Sequence, residues 1–421
     1  MSFLRNAAVT WPLCLLLGST AALAQNSGTT PATPPATPPA TPPATPPAGS
    51  EARVRAAFGQ GATIGTADGA FEVNIRARVQ TRFTLTHLDG ALGDPATEFS
   101  IRRARLVVQG HALHRDLQYY FQFGFSNRDT ESDLRLPLRD ASVTWSRWRD
   151  VHIRAGQMKV PFDRQRVISS SALQFCDRSI VTGELNLDRD VGVQVFSRNL
   201  FGWGNRLGYQ LGVFGGDGRN RLSSSPGLLW VARLEVNPMG SFDDYVEADL
   251  QRASAARLSV GVGVAYNQQS VRAQSTLGNT YTLGGFDYLH GEVDLSFKWR
   301  GLSILAQGML RRADTAARER TANGTTTREF SRSFIGWFAQ AGYLFNTHLE
   351  LVARYGDLVP TVLDASQRDP TQLRRQELGG GLNWYFLGHA LKLQSDYFYY
   401  FGEGLSDRGE HQARLQLQLF F

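Results

Sequence analysis

In FEVNIRARVQTRFTL (71–85), Phe71, Val73, Ile75, Ala77, Val79, Thr81, Phe83 and Leu85 share one parity, while Glu72, Asn74, Arg76, Arg78, Gln80, Arg82 and Thr84 hold the other. Strict two-residue alternation gives a strand with one apolar and one wet face. Strands of soluble proteins usually run about five or six residues, whereas crossing an outer membrane takes about 9–11. The same pattern recurs in LQYYFQFGFS (117–126). Further candidate strands cover 99–112, 138–146, 150–156, 190–198, 207–214, 228–236, 245–251, 257–267, 288–299, 302–311, 334–345, 348–356, 377–386, 390–400 and 411–421. Bacterial single-chain barrels have even strand numbers. The expected fold is therefore all-β, a transmembrane antiparallel β-barrel of 16 strands with 18 as the alternative.

The amino terminus points to the same compartment. MSFLRNAAVTWPLCLLLGSTAALAQ has one basic residue, Arg5, an apolar centre and Ala22-Leu23-Ala24 before Gln25. This reads as a secretory signal peptide, residues 1–24. Its apolar stretch, Trp11 to Ala24, is shorter than the roughly 20 residues of a membrane-spanning helix. Cys14 lacks the small preceding residue of a lipid-attachment site, and Cys176 is then left without a disulfide partner. Residues 25–50 read as a linker. Within them TPATPPATPPATPPATPPA (30–48) cannot form helix or sheet ladders, and at about 3 Å per residue it spans roughly 60 Å. It is expected to be either a periplasmic spacer or a tolerated tail. A short segment, 51–70, precedes the barrel, 71–421.

The formal net charge of +6 falls to +5 without Arg5, and the only lysines are Lys159, Lys298 and Lys392. A basic chain can bind nucleic acid, but export and the spread of arginine among strands argue against it. Catalytic constellations are weak. His111 and His114 are an odd number of residues apart and fall on opposite strand faces, so no metal pair is expected. Ser169-Ser170-Ser171 has no nucleophile-elbow pattern, and Gly215-Gly216 and Gly379–Gly381 lack a phosphate-cradling strand-to-helix context. No enzyme and no cofactor is expected.

Short turns such as Phe345-Asn346-Thr347 and Leu387-Gly388-His389 alternate with long polar stretches near 215–227, 268–287, 312–333 and 357–376, the asymmetry of periplasmic turns and outer loops. Trp145, Trp148, Trp230, Trp299, Trp337, Trp384, Tyr385 and Tyr399 lie near strand ends, where interfacial aromatic girdles are expected. HQARLQLQLFF (411–421) alternates to its last residue. It resembles the terminal strand of bacterial outer-membrane proteins, and Phe421 is then the aromatic that the barrel assembly machinery reads.

Arginine accumulates on the inward parity: Arg76, Arg78 and Arg82 in the first strand, Arg103 and Arg105 in the second, Arg414 in the last. First and last strands adjoin in a closed barrel, so these groups are expected to form a basic wall, which lowers the barrier for anions. The alternative is that they pair with carboxylates such as Glu72 or Asp140 and stiffen the wall. Arg102 has the lipid-facing parity, at a cost of about 2–4 kcal/mol at mid-membrane, and is expected at a strand end or a local twist. Between Gly156 and Arg189 the alternation stops. A segment of that length inside a regular barrel is expected to fold into the lumen as a constriction, with Lys159, Arg164, Arg166 and Arg178 facing the solute, or else to lie exposed outside.

FSIRRARLVVQG (99–110), LRDASVTW (138–145), IRAGQMKVPF (153–162) with SSSALQFCDRS (169–179), LELVARYGDL (349–358) and LGGGLNWYF (378–386) resemble, in order, the phosphate-selective porin family, porins O and P. The resemblance implies a 16-stranded barrel, a homotrimer, an inward loop and an arginine-lined path to an anion site. Position by position, Arg78 matches the first-strand arginine, Arg102 and Arg103 the paired arginines of the second strand, and Arg178 one of the constriction loop. Arg166 stands near a loop lysine of the phosphate-binding members. Gln118 and Ser171 depart, standing where those members carry lysines. The function implied is passive diffusion of small hydrophilic solutes with a preference for anions, phosphate or polyphosphate first. The alternatives are a general, weakly selective porin and a plugged structural or adhesive protein. Outer-membrane lipids and lipopolysaccharide are the expected surroundings.

Overall fold

The computed structural model describes residues 52–89, 95–129, 136–222, 226–403 and 409–421. The signal peptide and the linker, 1–50, lie outside the described residues. A hairpin of β1 (Arg53–Ala57) and β2 (Gly61–Gly65) comes first, followed by β3 (Glu72–Leu88), β4 (Ala96–Ala112), β5 (His114–Gly124), β6 (Leu138–Trp148) and β7 (Val151–Lys159). Two short helices, α1 (Arg164–Val167) and α2 (Ile180–Leu185), interrupt the strands. The chain continues as β8 (Arg189–Ser197), β9 (Leu207–Phe214), β10 (Leu229–Val236), β11 (Arg257–Ser270), β12 (Phe286–Trp299) and β13 (Leu302–Ala313). A separate hairpin, β14 (Ala317–Ala322) with β15 (Thr325–Phe330), stands apart from the main sheet. The last strands are β16 (Phe334–Leu344), β17 (Leu349–Pro360), β18 (Arg375–Leu387), β19 (Leu391–Gly402) and β20 (Glu410–Phe420).

Each strand from β3 onward, the separate hairpin excepted, pairs antiparallel with its predecessor, and β20 returns to β3 from Glu410↔Leu88 to Phe420↔Arg78. Sixteen strands thus close a barrel, with β1, β2, β14 and β15 outside it. The hairpin β1–β2 continues the sheet beyond the end of β20, pairing Ala62 with Ile75 of β3. Phe421 finishes the seam, its N–H donating to Ala77 O at 2.9 Å and its carbonyl accepting from Ala77 N at 2.6 Å.

The alternation sorts side chains as a membrane barrel requires. Phe99, Val143, Val193, Leu211, Val262, Val293, Ile335, Leu351, Leu415 and Leu417 are exposed on the outer face, while Gln80, Gln340, Glu350, Glu377, Gln394, Gln416 and Gln418 are buried inside. Neighbouring strands pair along the closed sheet, which is how a barrel meets the backbone N–H and C=O groups that lipid cannot. Among the described residues no helix is long and apolar enough to cross a membrane.

Two expectations need correction. Residues 245–251 alternate but form no strand. Asp244, Glu247, Ala248 and Asp249 are buried in a connection between β10 and β11 that folds inward. There, Glu247 N donates to Ala172 O and its carboxylate accepts from Gln165 and Gln174, so side chains replace the ladder. Tyr385 belongs to no girdle. It shares the inward parity of Asn383, is fully buried, and donates to Glu350 at 2.6 Å, while Trp384 and Phe386 point outward. Trp145, Trp148, Trp230, Trp299, Trp337 and Trp384 are exposed on the outer face.

Residues 160–188, between β7 and β8, form the inward loop. Ser170 O accepts from Gln80 of β3, Leu173 O from Lys392 of β19, and the Gln174 side chain donates to Ser303 of β13 and Glu350 of β17. Glu377 of β18 accepts from Ile180 N. A segment bonded to strands around the circumference of a closed barrel lies in its lumen. It is pressed to one side: Phe162, Ile168, Leu173, Val181, Leu185 and Leu187 pack on Val231, Ala265, Leu305, Met309, Phe334, Phe338 and Leu358. That apolar core inside the lumen fills the half bounded by β10–β17 and leaves the half bounded by β3–β9 open.

Candidate functional site: the lumen beside the inward loop

The open half is a cavity of about 720 Å3. Strand parity puts Gln109, Gln122, Ser142, Thr144, Arg154, Gln194 and Gln210 on its wall, and the loop contributes Pro161, Arg166, Val167, Ser169, Ser170 and Arg178. Among the described residues its lining holds eleven Arg and Lys side chains against three carboxylates, Glu72, Asp129 and Asp140.

Of the residues the sequence singled out, Arg102, Arg103, Arg105, Lys159, Arg166 and Arg178 line this cavity. The loop residue Asp177 organises several of them. Its carboxylate accepts from Arg82 (2.5 Å), Arg102 (3.1 Å), Arg103 (3.3 Å) and Arg414 (3.5 Å). Burial alone would raise the Asp177 carboxyl, but Arg102, Arg82, Arg103 and Arg414 hold it well below the usual carboxylate range. Arg82 and Arg414 lie behind this contact and outside the cavity lining. Arg82 also bonds Gln416 and Cys176 O, and Arg414 also bonds Asp396. The expected basic wall therefore exists as a cluster of neighbours, but much of its charge is met by a carboxylate on the loop rather than by Glu72 or Asp140.

Arg102 reaches the lumen in spite of its parity through a β-bulge. Gln80 pairs with Arg103 and Thr81 with Ile101, so Arg102 is the extra residue. A bulge sets two residues against one and re-aims the side chain, which lets Arg102 and Arg103 both bond Asp177.

The remaining cations bond elsewhere than Asp177. Arg78 bonds only hydroxyls, donating to Ser169 at 3.4 Å and Ser170 at 3.0 Å. Arg105 shares the Ser170 hydroxyl (3.1 Å) while pairing with Asp129. Arg178 donates to the carbonyls of Gln165 and Ile168, and Lys159 to those of Val167 and Ile168. Arg166 pairs with Asp188, which also takes Arg189. Arg76 bonds Gln109 at 2.8 Å and stands over the Phe420 ring.

Arg164 does not face the cavity. It is fully buried on the filled side, bonded to Asp294, to Asp244 (3.0 Å) and to Ser259 (2.8 Å). Carboxylates on β10, β12 and the inward 237–256 connection surround it, and an arginine with such partners is held where it is. Arg233 completes this group with Glu235 and Glu292.

Arg115, Arg128, Arg139, Arg154 and Arg189 also line the cavity and were not singled out in the sequence. Strand parity finds Arg154, which alternates with Ile153. Asp177 carries no periodic signal in CDRS, and what marks it in the sequence is that it is the only acidic residue between Asp163 and Glu184.

The family model for phosphate-selective porin O and P matches residues 73–419. No curated protein matches the sequence. Among solved structures, the outer-membrane channel DcaP of Acinetobacter baumannii is 12% identical with a TM-score of 0.55, covering 84% of this chain and 98% of that one. An anion-selective porin from Comamonas acidovorans is 14% identical with a TM-score of 0.51, covering 83% and 99%. The trimer form of OmpT, an outer-membrane protein of Vibrio cholerae, is 11% identical with a TM-score of 0.50, covering 84% and 100%. Such likenesses bear on the fold, whereas the family match spans almost the whole barrel. The chain thus belongs to the phosphate-selective porin O and P family, as a multi-pass β-barrel channel of the Gram-negative outer membrane.

Proposed function

We propose that this porin is a passive diffusion channel that prefers anions, with phosphate or polyphosphate as the favoured solutes. The observation that carries the reading is the excess of cationic over acidic side chains around the open cavity. Arg78, Arg154, Lys159 and Arg178 have no carboxylate partner among the described residues. Cations in a narrow, low-dielectric lumen concentrate anions, and several moderate sites in series let them enter and leave. No covalent step is involved. The family name and the similarity in fold to the anion-selective porin from Comamonas acidovorans agree with this reading.

A general, weakly selective porin is the second reading, favoured by the neutralisation of Arg82, Arg102, Arg103 and Arg414 on Asp177 and Asp396. Titrating orthophosphate into a chloride current through single channels separates the two. Block at micromolar to millimolar phosphate supports an anion site, and unblocked current leaves the general porin. We further propose a homotrimer, as in the trimer form of OmpT, with short turns and amino terminus in the periplasm, residues 1–24 removed on export and 25–50 as a spacer. Phe421 is then the residue read during assembly, and lipopolysaccharide surrounds the loop-bearing rim.

A further inference from the structure

The cavity is large for a bare phosphate ion and falls in the roughly 300–1,000 Å3 range of sites for small organic ligands. Its polar groups are also arranged in two layers. The cations of the loop level, Arg105, Lys159, Arg166 and Arg178, stand at one end. Beneath them, pairing register aligns an uncharged row: Gln109 lies opposite Tyr120, and Tyr120 opposite Ser142. The next row runs from Gln118 to Thr144, Arg154 and Gln194. Lys159 and Arg154 are five residues apart on β7, which is about 16 Å at a strand rise of about 3.3 Å per residue.

This lower layer offers hydrogen-bonding groups that the protein leaves open. Gln194 donates to the Gln210 carbonyl at 2.8 Å, which leaves the Gln210 amide hydrogens and the Gln194 carbonyl without a protein partner among the described residues. Tyr120 accepts from Gln122 at 3.0 Å and keeps its own hydroxyl proton. Arg154 spends only Nε, on Thr144 at 3.0 Å, and its guanidinium lies over the Phe196 ring. Donors and acceptors mixed in this way match hydroxyl groups, which both give and accept.

We infer that the channel's solutes of choice are phosphate esters of polyhydroxylated alcohols, of the sugar-phosphate kind. The phosphate is held among the loop-level cations, and the hydroxyls pair with Tyr120, Gln194, Gln210 and Arg154. This rests on the anion-channel reading and adds the part of the solute that inorganic phosphate lacks.

The test uses the mature protein in planar bilayers at pH 8.5, comparing channel block by glucose 6-phosphate, cyclohexyl phosphate, orthophosphate and glucose. Cyclohexyl phosphate matches the sugar ester in charge and approximate bulk but has no hydroxyls. One retained hydrogen bond is worth about fivefold, so half-block is expected at an at least fivefold lower concentration of glucose 6-phosphate than of cyclohexyl phosphate. Glucose alone should not block. Tyr120→Phe and Gln210→Leu, made separately, should each bring the two esters closer together. Equal block by both esters in the wild-type channel, with orthophosphate still blocking, would overturn this inference and leave the anion channel standing. An unselective current that none of the phosphates blocks would overturn both.

Discussion

Asp177 is the residue on which the loop-level arrangement turns, because one carboxylate fixes the inward loop to arginines of three strands, β3, β4 and β20. Removing one partner of a buried ion pair typically costs about 3–5 kcal/mol. Asp177 is a quarter exposed, so Asp177→Asn should cost less, about 2 kcal/mol, read as a lower unfolding midpoint in detergent. The same change takes the carboxylate partner from Arg82, Arg102 and Arg103, while Arg414 keeps Asp396, and should raise anion selectivity while making the open current noisier. An unchanged current would show that the loop is held without this contact. The sign of the pH effect follows from the depressed carboxyl. Its stabilisation is fully present above the unfolded value of about 3.9 and is lost only as pH falls through the lower folded value. Wild-type current noise should therefore be alike at pH 7 and pH 5, and Asp177→Asn noisy at both. Arg102 shows how far a residue can be read from sequence. Its wrong parity announced a local irregularity, whereas Asp177, which completes the site across some 75 residues of chain, left no periodic trace.

At the scale of elements, alternation located the barrel strands because inward and outward surroundings differ so sharply that parity alone sorts each side chain. It failed at 245–251, where a short alternating run lies against the loop inside the barrel instead of between lipid and water. The core that these inward segments share is apolar, and Phe162 is one of its fully buried members. Phe162→Ala should cost about 3–5 kcal/mol, seen as a lower unfolding midpoint, and should enlarge the conductance as the loop loosens. An unchanged midpoint would mean that the apolar contacts inside the lumen contribute little. The glycine run in β18 had a packing role within reach of sequence reading only in general terms. A Cβ on Gly379 would stand 2.4 Å from the Phe398 ring, itself buried beside Phe175 of the loop. Gly379→Val should therefore displace that ring and lower stability, measured in the same way.

For the molecule as a whole, charge and volume are divided together. The loop and the 237–256 connection fill the half of the lumen where Arg164 and Arg233 are each surrounded by carboxylates, Asp244, Glu235, Glu292 and Asp294, so the arginines of that half are paired. The other half stays open and carries the cationic excess. Selectivity should then depend on the unpaired cations of the open half, with Arg178→Gln and Lys159→Gln lowering it more than Arg233→Gln, whose effect should fall on stability instead. The most direct measurement is the reversal potential of the purified channel under a potassium chloride gradient across a planar bilayer. A potential of the sign set by chloride, moving toward zero in Lys159→Gln and Arg178→Gln, is the predicted result. A potential near zero or of the sign set by potassium in the wild-type channel would contradict the account.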